Sequence, residues 1–450
     1  MQIKHFFNSK THTISFSIQL AEDETPAIYN DTRKSAQLRN THFRMLLPDK
    51  IDGFECLHPD QWALIILLTV FPFVKSDLRL SFAVSSTFAT AYNCSGKHIF
   101  PIDPTLEPYG GSNRPALRPS VAFNGRVHSF TTAAILGTSS SLIALNHWDS
   151  IVGERSSPYP QDALFYALDN LEEKGYDVHV VKTDIQSLYE PYGFAHPITS
   201  TVGAILLSDV LGLDSVHVGC HMDELATYGK CTTRRTKHHV HTSSAAAGSY
   251  QLDTQQRTKV NYISFKHHQL QLDASDSVSV ESTLFFWREM FKTVRMRIDF
   301  PLCGATDAVL VKLLAEHQLW STMHYCLYSR PTTKCGVCVE CFYYDSLYQS
   351  VMRHKPVFEK IWNVCTTAYP EATTSIYNLK IPSRWHMFWV EHITRVDIMP
   401  KEKVFKKLTL YSREYHTHKY MIHNVDHIIQ NEFQNKVKQG IRRLISVLAK

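Results

Sequence analysis

The sequence predicts an α/β protein built on a doubly wound parallel sheet, with an N-terminal α/β domain before it and a C-terminal helical extension after it. Three observations carry this. From residue 121 onward, short β-branched and apolar runs alternate with longer helical ones, the pattern of repeated βαβ units. The chain has 450 residues, 44% of them apolar and 20% charged. At roughly 150 residues per domain this is enough for about three domains with unstapled cores, and the composition excludes extended disorder or coiled coil as a description of most of it. Past residue 345 the alternation ends. There Ile428, Ile429, Phe433, Val437, Ile441, Leu444 and Leu448 recur at helical spacing.

Taken in order, residues 1–120 form a first α/β domain and a linker. His58-Pro59-Asp60 starts a helix that carries Trp62 to Val74, with Pro72 near its end, and Leu78 to Ser85 has strand composition. Residues 104–120 contain four prolines and the pair Gly110-Gly111, which read as a linker. In residues 121–345, strands are expected at Arg126 to Leu136, Asp177 to Lys182, Ser215 to Gly219 and Arg295 to Phe300. Helices are expected from Ser140 toward Trp148, over Thr201 to Leu211, Thr283 to Val294 and Ala305 to His317. The polar run 232–260, with Ser243-Ser244-Ala245-Ala246-Ala247-Gly248 at its middle, reads as a mobile insertion. Residues 346–450 are the helical extension. Ligands of doubly wound sheets sit outside the carboxyl ends of the strands, so the loop from Leu136 to Ser141 and the loop after Ser215–Gly219 are the places to look.

The formal net charge is +5, and it is local: residues 401–450 hold eleven Lys/Arg against four Asp/Glu, a net +7, which leaves −2 for the first 400. Lys401, Lys403, Lys406, Lys407, Arg442 and Arg443, with Tyr411, Tyr415 and Tyr420, could track a nucleic-acid backbone. A solvated helix face over an apolar docking stripe is the favoured account. Met1 to Lys10 has no basic region followed by an apolar one, and the longest apolar stretch, Trp62 to Val74, is shorter than the roughly 17 residues of a spanning helix. A reducing cytoplasmic location is expected, with no membrane partner.

Four of the ten cysteines, Cys326, Cys335, Cys338 and Cys341, fall within sixteen residues as Cys-x8-Cys-Gly-x-Cys-x2-Cys. A Cys-x2-Cys turn aims two sulfurs at one tetrahedral metal, and Gly336 lets the backbone tighten there. Four thiolates with no open position point to structural zinc. The spacing does not match the common ferredoxin runs, and a redox pair or unrelated thiols are the alternatives.

These cysteines, with Phe300-Pro301-Leu302 and Ala305 to His317 before them, resemble the carboxyl-terminal half of the 7-cyano-7-deazaguanine synthase family, within the pyrophosphate-loop ATPase superfamily. Val181-Lys182-Thr183-Asp184, Gly203 to Leu213, and Val216-His217-Val218-Gly219 followed by Asp223, Glu224, Tyr228 and Cys231 are similar as well. The resemblance spans about residues 126–345. It implies an adenine nucleotide alpha hydrolase-like (HUP) fold, ATP and magnesium as cofactors beside structural zinc, and an ATP-dependent C–N ligase. The carboxylate of 7-carboxy-7-deazaguanine would become an acyl-adenylate and then an amide. The extra residues at both ends resemble enlarged relatives associated with anti-phage defence, which are thought to join the deazaguanine to a partner protein's amino terminus. A catalytically impaired scaffold of the same fold and a nucleic-acid-binding zinc protein are the rival functions.

The family binds ATP through a loop of the form Ser-Gly-Gly-x-Asp-Ser after its first strand. Here the expected place reads Leu136-Gly137-Thr138-Ser139-Ser140-Ser141, with one glycine and the final serine retained and the aspartate lost. Gly137 and the hydroxyls of Thr138, Ser139, Ser140 and Ser141 would face phosphate; a serine-capped turn without a ligand is the alternative. Asp184 would hold ribose or magnesium, or cap a helix. Asp223 and Glu224 would accept from a guanine-like base, or form a solvated loop, and Tyr228 would stack on it, or pack. Cys220 and His221 are adjacent, so on extended chain they point to opposite faces and do not make a nucleophile pair. The histidine runs His238-His239-Val240-His241 and His267-His268 are read as adventitious metal binders.

Overall fold

The computed structural model describes residues 1–20, 29–31, 34–48, 57–74, 77–110, 117–147, 161–190, 197–219, 280–302, 307–323, 341, 344, 345 and 348. The chain divides into two compact units. The first comprises 1–124, 136–219 and 269–299, and the second 125–135, 220–268 and 300–450.

The first unit opens with β1 (Gln2–Asn8) and β2 (Thr13–Gln19), an antiparallel hairpin. β3 (Tyr29–Asp31) and β4 (Lys34–Leu38) pair as a second, small hairpin, and β5 (His42–Leu46) returns antiparallel to β2. Alternation sets the buried face: Ile14, Phe16 and Ile18 of β2 point inward beside Phe43 and Met45 of β5. Phe16 and Phe43 are paired in register and their rings stack at 4.4 Å.

Helix α1 (Pro59–Val70) starts where the sequence predicts. His58 accepts from Asp60 N–H while the Gln61 side chain accepts from His58 N–H at 2.9 Å, a reciprocal cap with proline in the first turn. The helix is buried all round from Trp62 to Val70, and Pro72 lies in the short 3-10 turn that ends it, Phe71–Phe73. β6 (Leu78–Ser85) matches its expected bounds, α2 (Ser86–Asn93) is capped by Ser85, and β7 (Ile99–Asp103) closes this half.

Strand β8 (Arg118–Phe123) begins inside the segment expected to be linker. Helix α3 (Val127–Leu136) and strand β9 (Ser141–His147) then reverse two expectations: residues 126–136 are helix rather than strand, and 141–147 strand rather than helix. The threonine hydroxyls are absorbed inside α3, where Thr131 Oγ1 donates to Val127 O at 2.8 Å and Thr132 Oγ1 to His128 O at 2.9 Å. Leu142, Ile143, Ala144 and Leu145 are all buried, as on a strand covered on both faces, so no alternation marks them.

The remaining elements are α4 (Gln161–Glu173), β10 (Asp177–Thr183), β11 (Tyr189–Glu190), α5 (Val202–Leu211), β12 (Leu213–Val218), α6 (Val280–Thr293), β13 (Arg297–Asp299) and, in the second unit, α7 (Asp307–Glu316). The expected elements over 177–182, 201–211, 215–219, 283–294, 295–300 and 305–317 are all present, displaced by a few residues at most. α5 packs close to the sheet at Gly203, where an added Cβ would come 2.8 Å from Ile143 Cγ2.

One ten-stranded sheet runs β13-β12-β8-β9-β10-β5-β2-β1-β6-β7, and β11-β4-β3 form a separate small one. From β13 to β10 every pairing is parallel. The first of these strands in the chain, β8, is central, with later strands on both sides, which is the doubly wound order. β5 then joins antiparallel to β10, with Leu46 opposite Lys182 and Met45 opposite Thr183. The N-terminal strands thus continue the same sheet, and the boundary expected near residue 120 falls within the first unit.

Candidate functional site

In doubly wound sheets ligands sit where the strand order reverses. The chain leaves β8 toward β9 on one side and reaches β12 on the other, so the carboxyl end of β8 is the point at which the order reverses. The turn that leaves it is Asn124-Gly125-Arg126. Gly125 has φ +75°, a left-handed conformation that costs other residues strain. α3 follows at once, with Phe130 N–H and Ser129 Oγ both donating to Arg126 O at 3.0 Å.

His128 lies in the first turn of α3. Its Nε2 is 3.6 Å from Asp307 Oδ1, an ion-pair distance when the ring is protonated, and the two side chains are 13% and 2% exposed. Tyr344 OH donates to the same Asp307 oxygen at 3.5 Å. Asp307 is the first residue of α7, where the unsatisfied N–H groups favour a carboxylate. These residues belong to the second unit, as does Cys341, which is fully buried.

The loop expected to bind phosphate, Gly137 to Ser141, is at the other edge. It leads from a helix into a strand, and Ser141 pairs with Ser120 near the beginning of β8. A helix C-terminus presents carbonyl oxygens rather than N–H groups, the wrong polarity for an anion. Its hydroxyls have local acceptors: Ser139 Oγ donates to Leu136 O at 3.4 Å, Ser140 Oγ to Gly137 O at 2.8 Å and Ser141 Oγ to Asp177 Oδ2 at 2.8 Å. Asp177 also pairs with Arg118 at 2.7 Å and His179 at 2.9 Å. Burial alone would raise its carboxyl, but the bonds from Ser141 and His179 and the charge of Arg118 bring it below its ordinary value.

Asp184 is at the end of β10 and buried, and it turns toward β5. It accepts from the Arg44 backbone N–H and, at 3.3 Å, from Arg44 Nε. Burial raises its carboxyl above the ordinary value, and the Arg44 contacts pull in the opposite direction. Of the two expected alternatives the helix cap is not made; the side chain fastens β10 to β5. On β12, separated from β10 by β8 and β9, His217 is 1% exposed and pushed down to about 3, by burial first and then by Arg297.

Asp223, Glu224, Tyr228, Cys220, His221, the histidine runs and Cys326, Cys335 and Cys338 lie outside the described residues, as do the insertion 232–260 and the basic tail. Among the described residues no group of three or more His, Cys, Asp or Glu could hold a metal, and no helix is long and apolar enough to cross a membrane. Gly125, Arg126, His128, Asp307 and Tyr344 were not singled out by the sequence. The Asn124-Gly125 dipeptide is the signal that could have found the turn.

A family model described as a family of unknown function (DUF6395) matches residues 286–450, from within α6 to the last residue of the sequence. No curated protein and no solved structure matches the chain.

Proposed function

We propose that the chain is an ATP-dependent ligase of the 7-cyano-7-deazaguanine synthase type, with its phosphate-binding turn at residues 124–129. The observation that carries this is the central position of β8, which puts a left-handed glycine and a helix N-terminus at the reversal of strand order. Laid over Ser-Gly-Gly-x-Asp-Ser, the turn reads Asn124, Gly125, Arg126, Val127, His128, Ser129. One glycine and the final serine are kept, as in the loop first considered, but here they follow a strand and open a helix. Backbone N–H groups of the first helical turn point toward an approaching anion, and Arg126 adds a positive charge where the family has a second glycine.

In the proposed reaction the carboxylate of 7-carboxy-7-deazaguanine attacks the α-phosphate of ATP, and pyrophosphate leaves. An amine, ammonia or a partner protein's amino terminus, then displaces AMP to give the amide. Magnesium would accompany ATP and screen its phosphates. Of the four zinc-type cysteines only Cys341 is described, and its full burial is compatible with a place in a closed four-thiolate site.

A second reading is favoured by one feature of the turn. With imidazole at 128 in place of the carboxylate and Arg126 in place of glycine, the same site would bind a nucleotide without turning it over. Incubation with ATP, magnesium and 7-carboxy-7-deazaguanine separates the two. The ligase releases pyrophosphate and yields an adenylate detectable by mass spectrometry. Binding of ATP with neither product leaves the scaffold, and no binding of ATP overturns both.

A further inference from the structure

Within the first unit, the two halves of the sheet differ in how they are covered. In the parallel half, β9 is buried at Leu142, Ile143, Ala144 and Leu145 without a break. In β1, β2, β5 and β6 the buried positions alternate, as at Ile3, Phe16, Phe43 and Leu80. α1 lies on that side, with the Trp62 ring 5.0 Å from His5 and 6.3 Å from Phe16. Side-chain alternation turns the intervening residues to the other face.

Residues directly opposite one another share a face. The register therefore puts Lys4 beside Ser17, Phe6 beside Ser15, and Gln2 beside Arg79, which is in turn opposite Phe100 of β7. Phe6 is 66% exposed, the most exposed large apolar side chain among the described residues, and Phe100 is 36% exposed. The Arg79 guanidinium lies 5.6 Å over the Phe100 ring. Phe6, Lys4, Arg79 and Phe100 thus form a diagonal track across three strands, aromatic at each end and cationic between. β1, β2, β5 and β6 contain no Asp or Glu. The flanking carboxylates have local donors: Asp77, before β6, accepts from His98 N–H at 3.3 Å, and Asp103, at the end of β7, from Thr105 N–H and Oγ1 at 2.8 and 2.7 Å. Arg44, on the same face, is held by Asp184.

We infer that this face binds single-stranded nucleic acid, with bases stacked on Phe6 and Phe100 and phosphates on Lys4 and Arg79. A single strand offers flat rings and repeated negative charge together, and stacking serves every base because each has a π face. An acidic peptide would match the cations alone. A duplex carries the charge but keeps its base faces stacked on one another. The inference is independent of the ligase reading and of the basic tail.

The test uses the full chain and fluorescence anisotropy, with labelled RNA and DNA strands of one mixed sequence, about 12 nucleotides long, and the DNA as a duplex. Both strands should bind, and the duplex at least about tenfold more weakly. Whichever strand binds more tightly assigns the sugar, and either result supports the site. Phe6→Ser should weaken strand binding about tenfold, whereas Phe6→Tyr, which keeps a ring, should bind as the wild type does. Lys4→Ala combined with Arg79→Ala should lower the slope of log affinity against log salt by about 1.4, since each phosphate contact on a single strand contributes about 0.7. Urea midpoints check that each variant folds, and the charge variant carries the test if Phe6→Ser does not. No binding of either strand by the wild type, a preference for the duplex, or binding and salt slope unmoved by these substitutions would overturn the inference; the last outcome would place any binding elsewhere on the chain.

Discussion

His217 is a single residue whose placement affects the pH range in which the fold is stable. Burial and the charge of Arg297 push it from 6.5 to about 3, so the native chain holds it neutral. The unfolded chain binds one more proton between those values. Stability is therefore complete above about 6.5 and is lost as the pH falls toward 3, at up to about 1.4 kcal/mol per pH unit. His217→Gln has no proton to gain. Urea midpoints measured at pH 7, 6, 5 and 4 should fall more steeply for the wild type than for His217→Gln, and parallel curves would mean that the ring is charged in the fold. Asp184 adds a contribution of opposite sign at the acidic end, because its carboxyl is raised and its ionised form is the one that folding disfavours. At this scale the sequence did not disclose what Asp184 touches. A carboxylate at a strand end suits a ligand, and the feature that engages it, Arg44, is 140 residues away in the chain.

Between elements, the best-defined joint is at Asp60. This carboxylate is fully buried and accepts from Ser85 N–H at 2.9 Å and Ser85 Oγ at 2.7 Å, while Ser85 Oγ in turn accepts from Phe88 N–H at 3.2 Å. It fastens the start of α1 to the start of α2. Asp60→Ala should cost about 3 kcal/mol, because it strands two buried donors, and Asp60→Asn roughly half as much since one acceptor remains. Equilibrium urea unfolding of the two variants measures this, and a loss for Ala below about 1 kcal/mol would show the joint to be incidental. Elements like α1 were legible because their signals are local: the cap at His58, the apolar run and Pro72 all lie within a few residues of one another. α3 and β9 were exchanged because local signals favour the wrong state. Threonines and a valine suggest a strand at 127–132, and leucines and an alanine suggest a helix at 142–145. Burial on every side removes the periodicity that would have corrected either one. That exchange displaced the candidate phosphate loop by one element, from the carboxyl edge of the sheet to its amino edge. The strand-and-helix alternation survived it, because exchanging two neighbours leaves an alternating pattern alternating.

For the first unit as a whole, the N-terminal half is part of the scaffold rather than an addition to it. β5 covers the edge of β10, and Gln61 of α1 donates to Ser208 of α5 at 3.0 Å. The last carbonyls of α1 are satisfied from the later half, Leu68 O by Thr199 Oγ1 and Thr69 O by Tyr189 OH, each at 2.9 Å. Phe71 and Tyr92 pack on Phe286 and Trp287 of α6, with Phe71 and Phe286 stacked at 4.6 Å. A chain starting at residue 121 would therefore open an edge on β10 and expose the faces of α5 and α6, including two buried aromatic side chains worth about 1.5–3 kcal/mol each. Unpaired edges beside apolar surface are templates for association. The fragment 121–450 should accumulate as aggregate or elute in the void volume on size exclusion, whereas the full chain gives a discrete species. Co-expression of residues 1–120 as a separate chain should recover soluble material, since most of the lost contacts are non-covalent. A soluble 121–450 fragment that unfolds cooperatively without residues 1–120 would instead make those residues a dispensable leader. The continuous sheet argues against that outcome: an independent domain would bring its own edge strands, and this one completes the edge of its neighbour.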